Sequence, residues 1–269
     1  MEGRLSLGRV ALYVATIGAI GLTARGVLLG PLPMFVPVAA LSAYVLLIGA
    51  GVGFLRLGMF VDVVYRGPRG ARGVALTFDD GPSPDTTPLI LDQLDAARVE
   101  ATFFVLGKKA AAHPDLLREI AARGHTIGVH GHEHDRFLSL RSPARVARDI
   151  ERAMAVVEAV TGVRPTLYRP PVGLTSPRIA RALDAFDLTV VGWSVRALDG
   201  WRGARPERVA ARVVSRLGDG AIVLLHDAAE RDDYRPASVE ALPKILAAMR
   251  ARDLGGVKLD DWLGPTEVG

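Results

Sequence analysis

The chain has 269 residues, of which 49% are hydrophobic, 23% charged and 6% aromatic, and it contains no cysteine. This balance excludes a disordered or low-complexity chain, and the missing cysteine excludes a disulfide framework, Cys-ligated zinc and thiol catalysis. The formal net charge of +4 does not mark a polyanion binder, because residues 1–65 hold four Arg against two acids and residues 66–269 hold 29 basic against 27 acidic side chains, with no Lys/Arg run. Nucleic acid is therefore excluded as a partner.

The mean hydropathy of +0.25 is high for a soluble enzyme, and the excess is concentrated at the N-terminus. Residues 10–24 carry no charge, nor do residues 26–55, where Pro31, Pro33 and Pro37 interrupt the stretch before a continuous run over 38–55. A bilayer core asks for about 20 apolar residues, so the second run reads as a spanning helix. The first reaches that length if Arg9 and Arg25 snorkel. Residues 1–65 are assigned to a membrane region with helices near 8–24 and 37–56, two-pass in a bacterial inner membrane with the lipid bilayer as partner. A cleaved signal peptide is the bland alternative, and the second hydrophobic run counts against it. Arg4 and Arg9 precede the pair, Arg25 divides it, and Arg56, Arg66, Arg69 and Arg72 follow. A hairpin obeying the positive-inside bias places the body in the cytoplasm, whereas a single span with a cytoplasmic N-terminus places it outside.

Residues 66–269 form the catalytic domain of this reading, in which short apolar runs alternate with helical periodicity. Strands are predicted at 74–78, 101–106, 126–129, 166–168, 188–194, 221–225 and 257–259, and helices at 87–98, 114–123, 143–160, 177–186, 206–217 and 239–252. Ser142-Pro143 and Ser176-Pro177 are N-caps followed by proline at the first helical position. Gly124, Gly162 and Gly218 stand where a glycine would end the preceding helix. The alternation predicts an α/β fold, an incomplete and about seven-stranded parallel β/α barrel preceded by two transmembrane helices. A doubly wound open sheet competes, but no glycine-rich phosphate loop follows the first strand.

Unusual polar residues fall at the strand ends. The first strand runs into Thr77-Phe78-Asp79-Asp80-Gly81-Pro82, the third into His130-Gly131-His132-Glu133-His134 and the fourth into Arg169-Pro170-Pro171-Val172-Gly173. The fifth leads to Asp199 and the sixth to His226-Asp227. In a parallel barrel these ends open on one face. Adjacent carboxylates raise each other's pKa when partly buried, and a cation on Asp80 lets Asp79 stay ionised beside it. Helix capping is the plain alternative for the pair. His130 and His134, at i and i+4, meet at one point on a helical turn, with His132 and Glu133 left to the wall or surface. The H-E-x-x-H pattern fails, since Arg136 stands where its second histidine belongs. Asp80, His130 and His134 make a three-ligand set that leaves positions for water or substrate. Non-haem iron oxygenases use the same donors, but neither an H-x-D motif nor a jelly-roll run of strands is visible.

These motifs resemble the polysaccharide deacetylase (NodB homology) domain, carbohydrate esterase family four, over roughly residues 74–263 and with all five motifs in order. The resemblance implies that Asp80, His130 and His134 hold one divalent metal ion, zinc first, with cobalt, nickel or iron also accommodated. It implies that Asp79 is the general base, that Arg169 orients it, and that the Val172 N–H donates to the oxyanion. His226 would be the catalytic histidine and Asp199 its partner. Leu225 would line the acetyl-methyl pocket, with Pro170 and Trp193 also on the substrate side. The family usually has Ser or Thr at the position of Gly131, Tyr at Val172, and Trp directly after the Asp199 equivalent, where Gly200 precedes Trp201.

The function expected from the resemblance is metal-dependent hydrolysis of an N-acetyl or other N-acyl group on an amino sugar of a glycan. The three departures suggest a sugar other than chitin or peptidoglycan. A lipid-linked sugar is the alternative substrate, and a catalytically inactive, membrane-anchored glycan binder is the alternative from another class. No protein partner is indicated.

Overall fold

The computed structural model describes residues 5–263, so Arg4 lies outside the described residues. Leu7–Leu29 (α1) and Phe35–Gly53 (α2) are two helices long and apolar enough to cross a membrane, and most of their large apolar side chains stand exposed. They form a hairpin, pinned midway by Thr16 and Tyr44 hydroxyls 3.0 Å apart. Both open ends sit against the body. Ser6 Oγ accepts the Arg9 N–H and donates to Gly58 O at 2.7 Å, and Arg9 pairs with Asp62 at 2.9 Å. A short 3-10 turn, Leu55–Leu57, carries the chain from α2 into the body.

The body alternates strand and helix: Val74–Asp79 (β1), Thr87–Ala97 (α3), Thr102–Val105 (β2), Gly107–Ala112 (α4), Pro114–Ala122 (α5), Thr126–Val129 (β3), Pro143–Thr161 (α6), Leu167–Tyr168 (β4), Pro177–Leu183 (α7), Thr189–Val190 (β5), Val195–Arg196 (β6), Pro206–Val214 (α8), Ala221–His226 (β7), Ser238–Ala251 (α9) and Leu259–Leu263 (α10). All seven strands are parallel, in the order β5-β4-β3-β2-β1-β7-β6.

The predicted strand at 188–194 divides, and the division explains the barrel. The Val191 N–H bonds Tyr168 O at 2.8 Å on one edge of the sheet, and the Ser194 N–H bonds Ile222 O at 3.0 Å on the other. Three residues span at most about 10 Å, so the two edges nearly meet. An incomplete barrel, not an open sheet, is the result. The stretch at 257–259 is not a strand; it makes a single bridge through Gly256 to Val74 before α10 begins at Leu259. Helix α8 stops at Val214, so Gly218 is not its terminator, whereas Gly162 (φ 76°) does end α6. Ser176 Oγ accepts the Ile179 N–H, while Ser142 caps α6 without a side-chain bond.

Strand periodicity sorts the core into two clusters. Leu76, Phe78, Phe103, Val105 and Leu225 face outward beneath the helices. Ala75, Phe104, Leu167, Val191 and Ile222 fill the barrel floor, and Thr77 and Asp79 continue that inner face of β1 upward.

Candidate active site

The inner residues at the strand tops converge on one cleft, lined by Asp79, Asp80, His130, His134, Val172, Trp193, Leu224 and His226 among others. Asp79 is the last residue of β1, and its two oxygens are separately engaged. Oδ1 accepts from Arg169 Nη1 at 2.6 Å, while Oδ2 lies 3.8 Å from His130 Nε2. Arg169 is fully buried, with Nη1 also donating to Thr77 Oγ1, Nε to Val191 O and Nη2 to Gly192 O. Its guanidinium lies over the Phe104 ring at 4.1 Å. Burial pushes the Asp79 carboxyl above its ordinary range, and the charges of Arg169 and His226 partly offset that push.

Asp80, His130 and His134 are all buried and bring their donor atoms within 4.8 Å of one another. Asp80 Oδ1 lies 3.6 Å from His130 Nε2 and 3.3 Å from His134 Nε2, with no hydrogen-bond partner of its own. An orphaned buried carboxylate oxygen facing two imidazole nitrogens fits a divalent cation and is costly without one. His130 Nδ1 sits 2.7 Å from Arg169 O, which places the Nδ1 proton there and leaves Nε2 free as a ligand. Burial lowers the His130 pKa to about 3, so the ring is a neutral donor at physiological pH.

The two histidines do not share a helical turn. Residues 130–134 form a loop in which His134 has φ 54°, and Asp80 (φ 74°) and Val172 (φ 52°) are likewise left-handed. Such a conformation is unfavourable for any non-glycine residue and most of all for a β-branched valine, so strain is concentrated around the cleft. Gly131 has φ 85°, and a Cβ there would lie 2.7 Å from Asp149 Oδ2. Asp149, from α6, accepts the His132 and Glu133 N–H groups at 2.9 and 3.3 Å. This carboxylate braces the loop, and its approach requires glycine where the family usually has Ser or Thr. His132 is buried against Gly107, away from the ligand set, while Glu133 is exposed.

Across the cleft, Asp199 holds His226 twice: Oδ2 accepts its backbone N–H at 2.7 Å and Oδ1 lies 3.1 Å from Nδ1. Burial alone would lower the imidazole, but the Asp199 carboxylate, joined by the charges of Asp80 and Asp79, outweighs it and the His226 pKa is pushed up to about 10. Asp199 follows β6, the second half of the divided strand.

Two expected substrate-side residues are corrected. Leu225 is fully buried in the outer core beside Phe78, because a residue adjacent to inward-facing His226 must point to the other side of the sheet. Leu224 lines the cleft instead. Pro170 is buried behind the wall, its carbonyl accepting the Gly173 N–H at 2.9 Å; it shapes the loop without reaching the cleft. Val172 and Trp193 do line the cleft, as does Trp201 despite its displacement by Gly200. Arg136, Arg196, Glu230 and Tyr234 complete the wall. These four lie outside the strand-end motifs, and only the Glu230-Arg231-Asp232-Asp233 charge cluster hinted that the segment after β7 faces something polar.

Residues 66–191 match the family model for polysaccharide deacetylase. The chain is 35% identical over 192 residues to a chitooligosaccharide deacetylase of a Bradyrhizobium species, covering 68% of this chain and 87% of that protein. The chain belongs to the polysaccharide deacetylase family. A second family member, peptidoglycan-N-acetylglucosamine deacetylase PgdA of Listeria monocytogenes, is 34% identical over 191 residues; the match covers 71% of this chain but 39% of PgdA, so the chain spans about two fifths of that relative's length. Among solved polysaccharide deacetylases, PdaC from Bacillus subtilis has the same fold, with a TM-score of 0.65 at 30% identity over 73% of this chain and 92% of that one.

Proposed function

We propose that the protein is a metal-dependent N-deacetylase of an N-acetylated amino sugar within a glycan. The observation that carries this reading is the placement of two differently tuned groups, Asp79 and His226, around the Asp80–His130–His134 ligand set. The relatives, named for deacetylating chitooligosaccharide and peptidoglycan, support the same substrate class.

A divalent ion held by Asp80, His130 and His134 would acidify a water and polarise the acyl carbonyl; zinc suits these donors, and cobalt, nickel or iron would also be held. Asp79 takes the proton of the attacking water on Oδ2, the oxygen that Arg169 leaves free. The N–H of Val172, a residue that lines the cleft with a left-handed backbone, donates to the developing oxyanion. His226, charged by virtue of Asp199, gives the Nε2 proton to the departing amine, which is a poor leaving group without it. Trp193, Leu224 and Trp201 provide the apolar wall against which the acetamido group and sugar ring pack.

Helices α1 and α2 anchor this domain as a two-pass membrane hairpin. Arg9, Arg56, Arg66, Arg69 and Arg72 cluster at the body end, while Arg25 lies near the hairpin tip, donating to Gly30 O. That asymmetry favours the body on the cytoplasmic side.

The reading is tested by incubating the full chain, reconstituted in detergent and supplied with Zn2+ or Co2+, with N-acetylglucosamine oligomers and measuring acetate and free amine in equal amounts. Metal binding without acetate release from any N-acetylated sugar would leave a glycan-binding pseudoenzyme. The paired Asp79–Arg169 and His226–Asp199 argue against that outcome.

A further inference from the structure

We propose that the sugar this site accepts is carried on a lipid through a phosphate, and that the cleft opens onto the bilayer surface where such an amphiphile is held, an assignment that rests on the deacetylase reading and on α1 and α2 crossing a membrane. The wall of the cleft is tied directly to the end of a span. Three residues after Val172, the Thr175 N–H donates to Val52 O at 3.2 Å and Thr175 Oγ1 to Gly51 O at 3.4 Å. Both carbonyls belong to the last turn of α2. One short loop therefore separates the membrane helix from Val172, the residue assigned to the oxyanion. A site meant for a distant wall polymer gains nothing from this proximity.

The rim on the same side is apolar. Ser176 Oγ donates to Ser139 O at 2.7 Å, drawing the 137–140 turn beside the Val172 loop. Phe137 and Leu140 on that turn are each 64% exposed, and Phe54, immediately after α2, is 66% exposed. Scattered exposed apolar residues need no explanation, but Phe54 follows α2 directly and the 137–140 turn is joined to the same helix end through Thr175 and Ser176, so these side chains are covered by what covers the helix. Lipid is that occupant.

At the open wall of the cleft, the exposed Arg196 supplies the second recognition element. It shares the inner face with Leu224, its register partner, and its guanidinium lies 5.8 Å from the Trp193 ring centre. Its neighbour Arg136 is bound to Glu230, whereas Arg196 forms no ion pair among the described residues. A neutral N-acetylglucosamine oligomer offers this cation hydrogen-bond acceptors but no counter-charge. A phosphate between sugar and lipid does, through charge-assisted hydrogen bonds.

The test uses the metal-loaded full chain in phosphatidylethanolamine/phosphatidylglycerol nanodiscs and measures acetate released from three probes. These are polyprenyl-diphosphate N-acetylglucosamine, UDP-N-acetylglucosamine and chitotetraose. The expected result is a kcat/KM at least tenfold higher for the lipid-linked sugar than for either soluble probe. The double variant F137S/L140S should lose at least fivefold more activity on the lipid-linked probe than on chitotetraose, with unchanged metal content. R196Q should lose at least tenfold more on the two phosphate-bearing probes than on chitotetraose. Equal efficiency on chitotetraose overturns the inference alone; preference for the sugar nucleotide over the lipid overturns the membrane half. No acetate from any probe overturns the deacetylase reading and this inference with it.

Discussion

Asp199 grips His226 from two directions, one carboxylate oxygen on the backbone N–H and the other 3.1 Å from Nδ1. A single side chain thereby fixes the position of the imidazole and its charge. The proton-donating form of His226 persists until pH approaches about 10. In Asp199→Asn the backbone acceptor is retained and the opposing charge is lost, while burial still lowers the imidazole. The alkaline limb of kcat/KM should move toward lower pH in that variant. The same pair stabilises the fold in full below about pH 6.5, the ordinary value for His, and this contribution fades as pH rises toward 10. The melting-temperature gap between wild type and Asp199→Asn should therefore narrow on the alkaline side. A limb that does not move would remove His226 from the role of acid.

Asp79 stands outside the Asp80–His130–His134 cluster, and one of its oxygens is committed to Arg169. Asp79→Asn should lower kcat by about 10²–10⁴-fold, the span general-base removal produces. Metal content measured by mass spectrometry should stay at one ion per chain. Near wild-type turnover in this variant would reassign the base.

Metal binding should also appear as stability. A ligand present at 100 times its Kd adds about 2.7 kcal/mol, which for a domain of this size is ~5–10 °C in Tm. Chelation should lower the transition by that amount and Zn2+ should restore it. His130→Ala should melt at one temperature with or without Zn2+.

The residue between Asp199 and Trp201, Gly200, has no room for a side chain. A Cβ at this position would lie 2.6 Å from His226 Nδ1, inside any normal contact. Gly200→Ala should displace the imidazole and cut kcat at least tenfold, while the metal-dependent rise in Tm survives.

The hairpin brings Ser6 and the end of α2 to the same surface of the body. Cysteines introduced at Met34 and Arg231 in this cysteine-free chain should react with an impermeant maleimide from opposite sides of inverted and right-side-out vesicles. Labelling of both from one side would contradict two membrane passages.

Much of this molecule was legible from residue order, for identifiable reasons. β3 was predicted at its observed bounds, and β1 and β7 to within one residue, because buried parallel strands are short apolar runs with sharp ends. The ligand set was legible because carboxylates and imidazoles at strand ends have few other uses. Leu225 misled through adjacency: neighbouring residues on a strand face opposite sides, and motif spacing carries no record of which side is inner. The divided strand at 188–194 was hidden because its hydrophobicity is continuous, while its hydrogen bonds change partner between Val191 and Ser194. Arg136 and Arg196, and all but a faint charge signal at Glu230, were hidden for a different reason. Their neighbours in the cleft come from other elements, and only the near-closure of the barrel brings them together.

That closure gives Arg169 a second significance. Two of its donors hold Val191 O and Gly192 O, the point at which the chain steps from one sheet edge to the other, and a third holds Asp79. The clasp of the seam and the counter-charge of Asp79 are one guanidinium. A molecule whose edges have drifted apart therefore releases Asp79 in the same movement, so the proposed hydrolysis would be interlocked with completed folding.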